Sequence, residues 1–139
     1  MSRRDSLHES ARRTLEKDGW TITDDPLVLV LEQTLLKADL GAEKFLAAQK
    51  ASEKIAIEIK DFDSPSVISE LKKTMGQLQL YQWALEAQEP ERKLFLAVSE
   101  SIYIKHFQKP IFKLVIERNK INLLVYNIES EEIVRWITH

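Results

Sequence analysis

The sequence predicts an α/β (α+β) fold, a mixed central β-sheet flanked by helices, and three stretches carry that expectation. Glu53 to Lys60 alternates with period two, which sets Ile55, Ile57 and Ile59 on one face of a strand and Lys54, Ala56, Glu58 and Lys60 on the other. A helical stretch from Ser64 to Ala87 follows. Leu94-Phe95-Leu96-Ala97-Val98 then reads as a buried strand by its length and unbroken apolarity. Strand, long helix and second buried strand describe a right-handed crossover between parallel neighbours. The hairpin expected ahead of them is antiparallel, so the sheet is mixed.

The first element is a helix from Asp5 or Ser6 to Lys17. Ser2, Asp5 or Ser6 can cap it, Leu7, Ala11, Thr14 and Leu15 give it an apolar stripe, and Asp18-Gly19 stops it. Gly19 to Thr23, with Trp20 as a core residue, leads into Asp24-Asp25-Pro26, a turn whose two aspartates also suit a cation. Leu27 to Leu31 is a strand or buried extended segment. Lys44 to Ala48 and Ile55 to Lys60 are read as a hairpin turning at Gln49 to Ser52, with Gly41 allowing a bend after Asp39. In the long helix, Ser64 caps and Pro65 takes the first helical position. Val67, Ile68, Leu71, Met75, Leu78, Trp83 and Leu85 supply most of its apolar residues, and Gly76 marks a close contact with backbone or ligand. Ser101 to Phe107 fits helix or strand, with the serines favouring a helix. Ile111 to Glu117 fits neither period cleanly. Ile121 to Tyr126 and Glu132 to Ile137 are two strands, the second ending near Trp136, a core or dimer anchor.

Composition narrows the classes. The 139 residues are expected to form one domain, with 44% apolar and 30% charged residues, ordinary globular values. Without cysteine there is no disulfide framework and no thiolate zinc site. No stretch approaches the roughly 20 apolar residues that span a bilayer, and the N-terminus is charged where a signal peptide is apolar, so a cytoplasmic protein is expected. The net charge of −2 gives no global footprint for nucleic acid. Arg3, Arg4, Arg12, Arg13 and Lys17, with Lys72 and Lys73, form either a local basic patch or a mixed-charge solvated face.

The chemistry concentrates at Asp39 and at Glu58-Ile59-Lys60. Glu58 and Lys60 point the same way, roughly 7 Å apart along the strand, close enough to address one ligand. Asp39 returns toward them if the hairpin forms. Asp followed by Glu-x-Lys also recurs by chance in a chain this rich in charge, and solvated charges on a surface hairpin are the plainer reading. The pattern resembles the core of the PD-(D/E)XK nuclease superfamily. The resemblance implies that Asp39 and Glu58 hold Mg²⁺ or Mn²⁺, that the Ile59 carbonyl completes the set, and that Lys60 orients or helps deprotonate the attacking water. It also implies an acidic ligand from the first helix, Glu9, whose alternative is a plain exposed glutamate. Gln77 and Tyr81, one helical turn apart, resemble a Gln-x-x-x-Tyr pair found near the active site and nucleic acid in some members. Gln77 exposed and Tyr81 packed in the core is the other reading.

Longer blocks carry a closer resemblance: Lys17-Asp18-Gly19-Trp20-Thr21-Ile22-Thr23-Asp24-Asp25-Pro26-Leu27, Ala38-Asp39-Leu40-Gly41-Ala42-Glu43, Ile55 to Phe62, and Ile133-Val134-Arg135-Trp136-Ile137. In family order and across nearly the whole chain, these blocks resemble the XisH family, cyanobacterial proteins named as controlling factors for excision of the fdxN element. The resemblance implies a restriction-endonuclease-like fold and a role in a DNA excision that a separate recombinase performs, with DNA and a companion called XisI as partners. Alanine stands before Asp39 where the family has proline. Two functions follow as expectations: a Mg²⁺-dependent phosphodiesterase, or an accessory protein that binds DNA or its companion without cutting, with a homodimer open to either.

Overall fold

A computed structural model describes residues 3–139. Its helices and strands, in chain order, are α1 (Arg3–Lys17), β1 (Thr21–Asp24), β2 (Leu27–Leu31), β3 (Thr34–Ala38), β4 (Leu40–Leu46), β5 (Ala51–Ile59), α2 (Val67–Gln88), β6 (Lys93–Ser99), α3 (Glu100–His106), α4 (Pro110–Arg118), β7 (Asn122–Asn127) and β8 (Glu132–Ile137). Ser2, one of the caps expected for α1, lies outside the described residues.

Six strands form the central sheet in the order β1-β4-β5-β6-β7-β8. The β1/β4, β4/β5 and β7/β8 pairs are antiparallel, and β5/β6 and β6/β7 are parallel. The sheet is mixed for the reason expected. β5 reaches β6 through α2, and β6 reaches β7 through α3 and α4. β2 and β3 make a separate two-stranded hairpin packed on α2.

Both sheet faces are covered, so the alternation of β5 sorts its side chains between two cores. Ile55 and Ile57 join Leu15, Trp20, Phe95 and Tyr126 under α1, whereas Ala56 joins Leu71, Leu78, Leu85, Leu96 and Phe112 under α2 and α4. Each isoleucine fully withdrawn from water contributes about 1.5–3 kcal/mol. That burial fixes the register, because a one-residue slip would carry Glu58 into the α1 core. Trp136 packs edge-on against Phe95 at 5.0 Å and tilted against Trp20 at 5.8 Å between ring centroids, as part of its own chain's core.

Several boundaries move from their expected positions. β4 begins at Leu40, not Lys44, and pairs Leu40 with Ile57. A 3-10 turn at Ala47–Gln49 with Lys50 left-handed reverses the chain. Gly41 therefore lies inside a strand instead of in a bend. A Cβ there would meet Asp24 Oδ2 at 3.1 Å and Arg92 Nη1 at 3.2 Å. Buried Arg92 spans this spot, donating to the Ile55 carbonyl at 2.9 Å and to both oxygens of Glu89. The cap of α2 is Ser66, whose hydroxyl accepts from Ser69 N, and Pro65 precedes the helix. Ile68 and Trp83 point to solvent, while Thr74, Tyr81 and Ala84 complete the buried stripe. Nothing lies within 4 Å of the position a Gly76 Cβ would take, so that glycine makes no close packing contact among the described residues. The 111–117 stretch is helical, with Phe112 and Ile116 buried one turn apart. Among the described residues no helix is long and apolar enough to cross a membrane.

Candidate functional site

β3 and β4 are separated by one residue, Asp39. Because β4 starts at Leu40 opposite Ile57, β5 runs on past it, and the Ile59 N–H on that edge has no strand partner. Asp39 Oδ2 accepts it at 2.7 Å, and the Asp39 N–H donates to Glu58 Oε1 at 3.3 Å. The N–H and C=O of one strand residue point to the same edge, so the Ile59 carbonyl opens beside Asp39. Lys60 N instead bonds to the Ala97 carbonyl at 3.1 Å, which holds the next residue against β6. The Lys60 ammonium lies 3.5 Å from Glu58 Oε2. The hairpin that was expected to bring Asp39, Glu58 and Lys60 together does so, by a longer β4 than anticipated.

These residues line a cavity of about 260 Å³ together with Arg4, Leu7 and His8 from α1, Asp61, and Glu70 and Gln77 from α2. Glu58 is only 4% exposed. Burial, and then the facing Asp39 carboxylate, push its pKa up from 4.5 to about 7, against the pull of Lys60. Gln77 Oε1 is buried with no hydrogen-bond partner among the described residues. Tyr81 is buried and donates its hydroxyl to the Lys37 carbonyl at 2.8 Å, tying α2 to the end of β3. Its pKa is raised by burial and by Glu58 and Asp39.

Glu9 falls elsewhere. It is exposed on α1 and is not part of the cavity lining; its carboxylate gathers with His8 and Asp25, their ligand atoms within 4.8 Å of one another. Asp25 there accepts from Arg12 at 2.6 Å and bonds His8 Nε2 at 2.7 Å, so its first role is to hold α1 against the β1–β2 turn. Arg13 pairs with Glu131 and Lys17 with Glu132, which makes this helix face a mixed-charge one. From the sequence Arg4 belongs only to a basic patch or solvated face, and Glu70 is not singled out at all. Their signal is positional: Arg4 and His8 stand four apart on α1, and Glu70 and Gln77 seven apart on α2, each pair on one helix face. A smaller cavity of about 100 Å³ near Leu94 and Asn122 holds no carboxylate.

A hard divalent cation takes oxygen ligands and retains waters. The donors here fit that requirement: two carboxylates held close enough to repel and a strand carbonyl opening beside them, at a cavity with room for several waters.

Fold and site together define a mixed α/β protein whose paired carboxylates and lysine meet where two strands part. The model of the XisH protein family matches residues 1–134, and the chain belongs to that family. It is similar to the crystal structure of an XisH family protein from Nostoc punctiforme PCC 73102, at 39% identity and TM-score 0.87, over 96% of this chain and 100% of that one. It is also similar to that of an fdxN element excision controlling factor protein from Anabaena variabilis, at 41% identity and TM-score 0.87, over 96% of this chain and 99% of that one. No curated protein matches the chain.

Proposed function

We propose that this protein is a controlling factor of DNA excision that carries a Mg²⁺- or Mn²⁺-dependent phosphodiesterase site, with DNA as substrate and a XisI-type companion as partner. The observation that supports it most is the Glu58–Asp39 pair: two facing carboxylates in a buried site, where burial and then the Asp39 charge raise the Glu58 pKa, with Lys60 beside them. Asp39, Glu58 and the Ile59 carbonyl hold the cation, which supplies charge to a scissile phosphate and acidity to water. Lys60 orients that water and offsets charge developing on the phosphate. Gln77 and Arg4 hold the phosphate from the cavity wall. Tyr81 positions Asp39 through the Lys37 carbonyl. Calorimetric titration with Mn²⁺ tests this reading: wild type binds saturably and Asp39→Asn does not. Absence of binding to either at millimolar concentration refutes it.

One observation favours a second reading, an accessory protein that binds without cutting, since a fold does not dictate its function. The cavity wall carries Asp39, Glu58, Asp61 and Glu70 against Arg4 and Lys60, on a chain of net charge −2. Titration without cleavage of any DNA form, in the presence of the companion, would select this reading.

A further inference from the structure

Helix α2 carries a seam that its own chain leaves uncovered. Gly76, Leu80, Trp83 and Ala87 recur at spacings of four, three and four, the period at which one face of a helix meets another helix. All four face solvent, with Leu80 40% and Trp83 51% exposed. Gly76 sits in mid-helix, where glycine is the least stable choice short of proline, and no atom of the described residues fills the notch it leaves.

The flank of this seam identifies what covers it. Lys72, Gln79 and Glu86 follow one another at seven-residue spacing and form one line beside the apolar positions. Charge along that line runs from positive through neutral to negative. A copy of α2 laid antiparallel about a two-fold axis near Gln79 sets Lys72 against the partner's Glu86, and Glu86 against the partner's Lys72. The same rotation brings Leu80 over the notch at the partner's Gly76 and the Trp83 ring onto the partner's Lys73, an aromatic face meeting a cation. Parallel pairing would instead leave this line on opposite sides of the contact, with no opposite charge brought against it. A self-complementary patch is what a two-fold interface requires, since each contact occurs twice with the roles exchanged.

We propose that two copies of this chain associate through α2 in an antiparallel, two-fold contact centred on Gln79. The contact does not draw on the chemistry of the carboxylate cavity, so it stands whether or not that site binds metal. Sedimentation velocity on the full chain tests it. Wild type is expected to be dimeric at about 100 µM, Trp83→Ala to weaken the dimer at least about tenfold in Kd, and Lys72→Glu or Glu86→Lys alone to weaken it similarly. Combining Lys72→Glu with Glu86→Lys restores the dimer, because the charge line is inverted but still self-complementary. Circular dichroism confirms that each exposed substitution leaves the fold intact. A wild-type monomer at that concentration, a dimer indifferent to Trp83→Ala, or failure of the double reversal to rescue would each overturn the proposal.

Discussion

Replacing Glu58 by glutamine should make the metal-free protein more stable at neutral and alkaline pH. The Glu58 carboxyl titrates near 4.5 when solvated and near 7 in the folded chain. Between those values the native state holds a proton that the unfolded chain has released, so wild-type stability falls as pH rises through the window. At about 1.4 kcal/mol per pH unit, a rise from 4.5 to about 7 corresponds to about 3 kcal/mol. The contribution is intact below pH 4.5 and lost above pH 7. Glutamine has no proton to lose, keeps an oxygen for the Asp39 N–H, and occupies nearly the same volume. In chelator at pH 8, Glu58→Gln should therefore melt roughly 10 °C above wild type, and the gap should close toward pH 4. Scanning calorimetry across that range provides the measurement. A variant less stable than wild type at pH 8, or an advantage independent of pH, would show that Glu58 is not a strained carboxylate. Mg²⁺ binding as proposed should raise the wild-type melting temperature at pH 8 and leave the glutamine variant unmoved.

Other consequences can be read in urea unfolding midpoints. Tyr126 is 0% exposed and its hydroxyl is buried without a hydrogen-bond partner among the described residues, so Tyr126→Phe should add about 1 kcal/mol; a loss would reveal a partner. Glu32 and Gln33 both adopt positive φ, 47° and 64°, in the β2–β3 turn. Substituting Asn-Gly there should add about 1–2 kcal/mol, because left-handed backbone costs most residues about that much. Gly41→Ala should cost about 1–3 kcal/mol, since the new methyl lies within 3.2 Å of a buried arginine and of Asp24. An unchanged midpoint would mean that Arg92 has room to move.

Much of the sheet could be read from the chain because its strands carry either strict alternation or unbroken apolarity. β5, β6 and β7 all do. The β2–β3 hairpin could not be read in the same way. Its turn is Glu-Gln, without the glycine or asparagine that usually signals two left-handed residues, so the sequence marks only Leu27 to Leu31 as a strand or buried extended segment and leaves β3 unmarked. Gly41 misled in the opposite direction. It is required by side chains packed against it from Asp24 and Arg92, a tertiary demand with no local signature. At the site, Asp39, Glu58 and Lys60 were legible because strand periodicity and a known pattern coincide. Arg4 and Glu70 reach the cavity only through the way α1 and α2 flank the end of the sheet. Glu9 shows the limit of carrying over a residue by helix alone: one position along α1 is a rotation of about 100°, and Glu9 stays outside the cavity lining that His8 joins, although the two meet beside Asp25.

The hairpin has a mechanical consequence. Tyr81 and Gln88 fasten it to α2 through the backbones of Lys37 and Val30, while Val28, Val30 and Leu35 on its outer face stay open to solvent. Asp39 is the single residue between its last strand and the sheet. The hairpin therefore ties Asp39 to α2 on one side while Ile59 ties it to the sheet on the other, so the carboxylate is braced from two layers of the fold.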